Sequence, residues 1–266
     1  MHERELLEII VAAALEAGGA AHEIFRGDHE LAHKQDNSPV TAADHAAEAI
    51  ILKRLGTHVA DIPIIAEEEV AAGRVPVIGS TFFLVDPLDG TREFIAHRPE
   101  FTVNIALIQD GAPTLGVVYA PAMGELFGAD VPGGHAFRAV AATGNPAGTR
   151  GPIHVRHPPP AGLTVVASRS HPSPGLRDYL AGYEVAETVS IGSSLKFCLV
   201  AQGRADLYPR LGTTMEWDTA AGHAVLLAAG GHVIAANGEP LRYGKPGFTN
   251  PWFIAAGSVV PRPVAS

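Results

Sequence analysis

Residues 81–91 read TFFLVDPLDGT, and the way this stretch ends decides how the rest of the chain is read. Thr81 to Val85 is an apolar run too short for a helix and cut off at an acidic residue, which suits a buried strand. Pro87 has no N–H for a ladder, so the strand is expected to stop at Asp86. Asp89 follows across a tight turn, so the two carboxylates can converge on one point, and Leu88 offers its backbone carbonyl between them. Gly90 and Thr91 then look like the opening of a helix, whose free N–H groups make an anion site. Acidic pair, exposed carbonyl and amide nest together suit a hard cation carrying a phosphate.

Upstream, Leu6, Ile10, Ala13, Ala17, Ala21 and Phe25 recur at helical spacing and predict an amphipathic helix, weakened at Gly18-Gly19. A second helix is expected from Thr41 to about Leu55, after the turn-like DNSP at 36–39. PIIA, at 63–66, reads as another buried strand. Downstream, FTVNIALI, the Asp110-Gly111 turn and TLGVVYAP read as a hairpin, with ELFGA as a further strand. Residues 130–160, rich in Gly, Pro and Ala, read as loops closing a first lobe. Beyond them strands and helices alternate. LTVVAS, a segment near Val185, ADLYPR, HVIAA and WFIAAG are expected as strands; the helices are one after Pro174, SLKFCLVAQG and WDTAAGHAVLLAAG. The pattern predicts an α/β (α+β) chain in two lobes, residues 1–160 and 161–266, with sheets covered by helices.

The 266 residues are 47% hydrophobic and 18% charged, as expected of a globular chain of this length. A net charge of −9 argues against a nucleic-acid polymer as partner, because polyanions are held by clustered Lys and Arg. It leaves room for a small anionic substrate, since a few local cations or a metal ion outweigh a negative surface. The single cysteine, Cys198, permits no intramolecular disulfide and fits a reducing compartment. The N-terminus is charged from the start, unlike a signal peptide, and no apolar run reaches the roughly 18 residues of a membrane span. A cytoplasmic protein is expected, with peripheral contact to the inner membrane and the choice of monomer or homodimer left open.

Two more acidic positions are candidates to join Asp86 and Asp89: Glu67, at the end of PIIA, and Asp218, at the start of WDTAAG. Each has a plainer reading. Asp-Gly is usually a turn, Asp218 alone suits a helix N-cap, and Glu67 suits a solvated loop end. Gathering four carboxylates without a cation would cost about 4 kcal/mol per pair at 4 Å and an effective dielectric near 20. A cluster therefore implies metal, and two Mg²⁺ ions roughly 3.5–4 Å apart suit in-line displacement at phosphorus.

VDPLDGT with Phe94, and WDTAAG, resemble the two signature motifs of the inositol-monophosphatase superfamily. Within it the resemblance is closest to the bacterial CysQ-type 3′(2′),5′-bisphosphate nucleotidases. It is carried by KQDNSPVTAADHAAE, FLVDPLDGTREFI, FTVNIALI, LGVVYAP, SRSH, SIGSSLKFCLVAQGRADLYPR and EWDTAAGHAV, and lapses mainly between Asp130 and Pro160. It implies a layered αβαβα architecture and two or three Mg²⁺ ions, held by Glu67, Asp86, Asp89, Asp218 and the carbonyl of Leu88. Gly90 and Thr91 would hold the scissile phosphate, with Glu67, Leu88, Asp89 and Asp218 also bordering the substrate. Asp44 and Thr91 would position the attacking water. His171, Ser193, Lys196 and Arg210 match positions that face the nucleotide and its second phosphate. The chain departs from the pattern at Ala66, Arg92, Thr213 and Glu216, and the charge of Glu216, where an apolar residue is common, is expected to weaken bisphosphate binding.

The implied activity is Mg²⁺-dependent hydrolysis of the 3′-phosphate of adenosine 3′,5′-bisphosphate, and of 3′-phosphoadenylyl sulfate, in sulfur assimilation. The first rival is an inositol or sugar monophosphatase with the same metal centre, which would not need Lys196 and Arg210. A rival of another class is a non-catalytic nucleotide-sensing module. Other motifs are set aside. HELAH at 29–33 matches a zinc-protease pattern that works only on a helix, and here it has little room for one. Ser193 to Lys196 spells S-x-x-K without the companion elements of serine acylases. Cys198 reads as a buried small hydrophobe. Thr41-x-x-Asp44 also reads as a variant capping box.

Overall fold

Helix α1 (Glu3–Phe25) buries Ile10, Ala14, Ala17 and Ala21, a stripe at the expected helical spacing. Gly18 does not break it: a Cβ there would come within 2.4 Å of the Tyr119 ring, so the missing side chain lets the helix lie close on the sheet beneath. The computed structural model describes residues 3–27, 31–33, 39–140, 148–170 and 175–264. The short strands β1 (Leu31–His33) and β2 (Pro39–Thr41) lead into α2 (Ala42–His58). Thr41 caps α2, and its N–H and hydroxyl both donate to Asp44 Oδ2, at 2.8 and 2.7 Å.

Among the described residues, seven strands make one sheet in chain order. They are β3 (Ile64–Ala66), β4 (Thr81–Asp89), β5 (Thr102–Gln109), β6 (Ala112–Ala120), β7 (Glu125–Asp130), β8 (His135–Val140) and β9 (Arg150–Pro152). Two one-turn helices, α3 (Glu67–Ala71) and α4 (Thr91–Ile95), begin where β3 and β4 end. Only the β3–β4 pairing is parallel. Strands β8 and β9 correct the expectation of loops at 130–160. HAFRAV turns back on ELFGAD through Gly133-Gly134, and a strand with one covered face needs no long apolar run. A Cβ on Gly128 would strike the Phe137 ring, so glycine on β7 makes room for the aromatic on β8.

The chain continues through β10 (Leu163–Ser168), α5 (Leu176–Leu180), β11 (Val185–Ile191), α6 (Leu195–Ala201) and β12 (Leu207–Arg210). It ends with β13 (Thr214–Met215), α7 (Trp217–Ala228), β14 (His232–Ala235), β15 (Thr249–Asn250) and β16 (Phe253–Ala256). The second sheet has the order β11-β10-β12-β16-β14. Side-chain alternation sorts the layers. Phe83, Val85, Val103 and Ile105 pack against α1 and α2, while Phe82, Leu84, Ala106 and Ile108 share a core with α6 and α7. That same core takes Val166, Tyr208, Phe253 and Ala255 from the second sheet. Leu163, Val165, Leu207 and Ile254 face the other way, toward Tyr179 and Leu180 of α5. The order is therefore helix, sheet, helix, sheet, helix, the αβαβα layering the resemblance implied. Close approach in the middle layer depends on Gly116 and Gly222, whose Cβ atoms would lie 2.5 Å from Ala224 and 2.7 Å from Phe197.

Candidate active site

The first carboxylates owe their geometry to a bulge. Asp86 pairs with Asn104 and Asp89 with Thr102, so three steps along β4 oppose two along β5. In a regular strand a three-residue step would put the two side chains on opposite faces. The extra residue at Pro87-Leu88 brings both to the face of Asn104, toward α7. The strand thus runs on to Asp89 instead of stopping at Asp86, because one bulge accommodates the proline without ending the pairing. The Leu88 N–H, turned out of the ladder, donates to Asp86 Oδ1 at 3.0 Å.

Gly90 then adopts φ +97°, and a Cβ there would sit 3.1 Å from the Glu100 carbonyl, so this turn into α4 requires glycine. Thr91 follows, its hydroxyl donating to the Leu88 carbonyl at 3.3 Å. Glu67 arrives from the parallel neighbour β3, at the first position of α3, where the next amide, Glu68 N–H, is held by Glu48 Oε2 of α2 at 2.9 Å. Asp218 arrives from the opposite layer, in the first turn of α7, with Oδ2 accepting the Met215 N–H at 2.8 Å.

These elements enclose a cleft of about 260 Å³. Glu67, Asp86 and Asp218 each bring a carboxylate oxygen within 4.8 Å of the others. Asp89 borders the same cleft, its Oδ2 accepting Ser194 Oγ at 3.0 Å and lying 3.5 Å from Asn104 Nδ2. Burial, and then the charges of Asp89 and Glu67, push the Asp218 carboxyl well above its ordinary range. Burial also raises Asp89, against the pull of Lys196. An all-oxygen donor set crowded with negative charge, with the Leu88 carbonyl beside it, fits a hard divalent cation, which would relieve the repulsion.

Positive charge lines the same cleft. Lys196, buried on α6, donates to the Ser193 carbonyl at 2.5 Å, with Nζ 5.6 Å from the centre of the Tyr208 ring. Burial lowers its pKa to about 8, opposed by Asp89. Arg210, at the end of β12, borders the cleft and donates to the Thr213 carbonyl at 3.1 Å. Ser193 lines the cleft with φ +51°. Of the sequence-derived site residues, Glu67, Asp86, Leu88, Asp89, Gly90, Thr91, Ser193, Lys196, Arg210 and Asp218 meet in this one space. Asp44 is buried in its capping box at the start of α2, where its neighbour Ala43 packs with Leu88 and Phe94. His171 lies outside the described residues, as do His29 and Glu30 of HELAH; Leu31–His33 is strand, not helix.

Sequence reasoning missed Ser194 and Asn104. Ser194 Oγ touches Asp89 Oδ2, the Asp218 carbonyl at 2.8 Å and Asn104 Nδ2 at 3.0 Å, tying the two carboxylate-bearing layers together. The one available signal was Asn104 itself, a polar side chain inside the apolar run FTVNIALI. Glu216 was misread. It has no exposed surface and does not line the cleft; its carboxylate is bonded to Lys245 and to the Gly244 and Lys245 amides.

Residues 2–260 match the model of the inositol monophosphatase family. The chain belongs to that family. Over 251 residues it is 48% identical to a Salmonella typhimurium protein named 3′(2′),5′-bisphosphate nucleotidase CysQ, covering 93% of this chain and 98% of that one. The Escherichia coli K12 protein of the same name is 47% identical over the same length. Among solved structures, CysQ from Bacteroides thetaiotaomicron superimposes with a TM-score of 0.82 at 37% identity, over 97% of this chain and 99% of that one. An inositol monophosphatase from Anabaena superimposes at 0.75 with 29% identity, over 96% and 92%. The family is metal-dependent, and Glu67, Asp86 and Asp218 form a group that could hold a metal ion. None of the described helices is long and apolar enough to cross a membrane.

Proposed function

We propose that this chain is a Mg²⁺-dependent phosphomonoesterase that removes the 3′-phosphate of adenosine 3′,5′-bisphosphate, giving AMP and phosphate, and acts likewise on 3′-phosphoadenylyl sulfate. One observation carries the reading: the acidic cluster and two cationic side chains, Lys196 and Arg210, border a single cleft. A substrate with two phosphates needs both parts, one to receive the reacting group and one to grip the other. A polyol monophosphate needs only the first. The names of the Salmonella and E. coli relatives point the same way.

Glu67, Asp86, Asp89, Asp218 and the Leu88 carbonyl would hold the Mg²⁺ ions. When bound, the ions supply positive charge against the phosphoryl oxygens and acidify the attacking water. The chain's own residues do the placing. Gly90 and Thr91 turn backbone amides and a hydroxyl toward the scissile phosphate. The Thr91 hydroxyl, released from the Leu88 carbonyl it bonds in the structure, would accept a proton from the attacking water while donating its own to Asp44, and so orient that water for in-line displacement. Lys196 and Arg210 bind the second phosphate, with Ser193 and His171 beside the nucleoside. Most of the rate enhancement then comes from positioning and charge neutralisation.

Phosphate release from adenosine 3′,5′-bisphosphate, followed while Mg²⁺ is titrated into chelator-treated protein, tests this reading. Release that rises from baseline with saturating Mg²⁺ supports it. Nucleotide binding without release would leave a sensing module.

A further inference from the structure

Glu216 stands two residues before Asp218, and its side chain is wholly enclosed. Oε2 accepts the Gly244 N–H at 2.7 Å; Oε1 accepts the Lys245 N–H at 2.9 Å and lies 2.6 Å from Lys245 Nζ. A buried carboxylate is thus satisfied by two amides and one ammonium of a single loop. Glu216 opens α7 with helical dihedrals, φ −62° and ψ −36°, and its side chain makes no capping bond to that helix. Its charge is directed outward, to the loop.

The same loop grips the start of α7 a second time. Asn250 Nδ2 lies 2.8 Å from the Met215 carbonyl and 3.0 Å from Thr219 Oγ1, and Asn250 Oδ1 accepts from Lys245 Nζ at 3.2 Å. The Glu216 N–H donates to the Phe248 carbonyl at 2.8 Å, and Met215 pairs with Thr249. Met215 N–H is the group that donates to Asp218 Oδ2. A continuous series of bonds therefore runs from Glu216 through Lys245 and Asn250 to Met215, and ends on the carboxylate of Asp218.

We propose that Glu216, Lys245 and Asn250 form a buried clamp that fixes the Asp218 carboxylate, which makes Glu216 a positioning residue for the cation site. The proposal rests on the reading of Asp218 as a cation ligand. Groups that orient a metal ligand from behind govern affinity as well as rate, whereas a purely structural ion pair changes only stability.

The test is Mg²⁺ binding by titration calorimetry, well below the melting temperature, on three variants beside the unmutated chain. Glu216→Gln is expected to weaken Mg²⁺ binding about ten-fold and to lower kcat by a similar factor. Arg156→Ala supplies a destabilised control, since Arg156 bonds the buried Asp206 at 2.9 and 2.8 Å away from the cleft. It is expected to lose melting temperature and keep Mg²⁺ affinity within about two-fold, a difference too small for a lost orienting partner. Asp218→Asn is expected to lose most Mg²⁺ binding. Loss in Asp218→Asn with normal affinity in Glu216→Gln would overturn the clamp alone. Normal affinity in Asp218→Asn would overturn the ligand reading beneath it. Should Glu216→Gln not fold, the paired change Glu216→Leu with Lys245→Met removes both charges together and is read in the same way. Failure of both to fold would assign the clamp to folding and overturn it too.

Discussion

Replacing Asp218 with Asn should make the metal-free protein more stable and the Mg²⁺-loaded protein less so. The side chains are isosteric, and an Asn carbonyl oxygen can still accept the Met215 N–H. What changes is charge. Oxygens of Glu67 and Asp86 lie within 4.8 Å of one on Asp218, and a like-charged pair at that distance costs about 3.5 kcal/mol at an effective dielectric of 20. Two such pairs end on Asp218, but the cleft is open to water, which screens them. A realistic gain is about 1–3 kcal/mol, and at roughly 2–4 °C per kcal/mol this is a rise of several degrees in Tm. Mg²⁺ at 100 times its Kd stabilises the unmutated chain by about 2.7 kcal/mol, and the variant should miss most of that. The order of the two melting temperatures should therefore reverse between chelator and excess Mg²⁺. The pH dependence follows from the sign of the shift. A carboxyl raised in the folded state costs nothing below its ordinary pKa of 3.8, and its cost grows as pH rises through the raised value. In chelator, the variant's advantage should vanish near pH 4 and widen as pH rises above it. Differential scanning calorimetry reads all four conditions. A variant less stable than the unmutated chain in chelator, or one with an undiminished Mg²⁺ response, would refute the reasoning.

Neutralising Lys196 or Arg210 should raise KM for adenosine 3′,5′-bisphosphate about 10- to 150-fold, the loss of one charge-assisted hydrogen bond at about 1.5–3 kcal/mol, with far less effect on a monophosphate. Equal losses on both substrates in steady-state assays would remove these residues from specificity. Asp44→Asn and Thr91→Val should each lower kcat by orders of magnitude, and the double variant should be little worse than either if the two act as one unit. Additive losses, or an Asp44→Asn enzyme that is active but less stable, would confine Asp44 to the capping bonds seen with Thr41. His223 is buried, with Nδ1 2.9 Å from the Tyr243 hydroxyl, and burial depresses its pKa to about 3. The unfolded chain takes up a proton below about pH 6.5 and the folded one does not, so stability present above 6.5 is lost toward pH 3, by up to about 1.4 kcal/mol per unit. His223→Gln should flatten that part of the denaturation profile.

Much of the site could be read from local chemistry. The apolar run ending in VDPLDGT, the strand PIIA and the helix opening at WDTAAG carry their own periodicity and punctuation, so Glu67, Asp86, Asp89 and Asp218 stood out as candidates before any contact was known. The features that escaped depend on partners distant in sequence. The bulge that turns Asp86 and Asp89 to one face exists only against β5, and nothing within DPLD announces it. Ser194 acquires its role from Asn104, 90 residues away, and from Asp89, 105 away. Strands β8 and β9 lack an apolar run because they finish a sheet instead of lying at its centre. Glu216 looked like a stray charge because Lys245 and Gly244, which satisfy it, lie 29 and 28 residues downstream.

The central claim is that this cleft selects a substrate with two phosphates and cleaves the one beside the carboxylates. The most direct measurement is Mg²⁺-dependent phosphate release from adenosine 3′,5′-bisphosphate, inositol 1-phosphate, fructose 1,6-bisphosphate and AMP, compared as kcat/KM, with the nucleotide product identified. The account predicts the adenosine bisphosphate as the best substrate, and better than inositol 1-phosphate by at least about ten-fold, the least that one charge-assisted contact to the second phosphate should give. It also predicts AMP as product and essentially no release from AMP itself. Inositol 1-phosphate as the better substrate, or adenosine 3′-phosphate as the product, would contradict it.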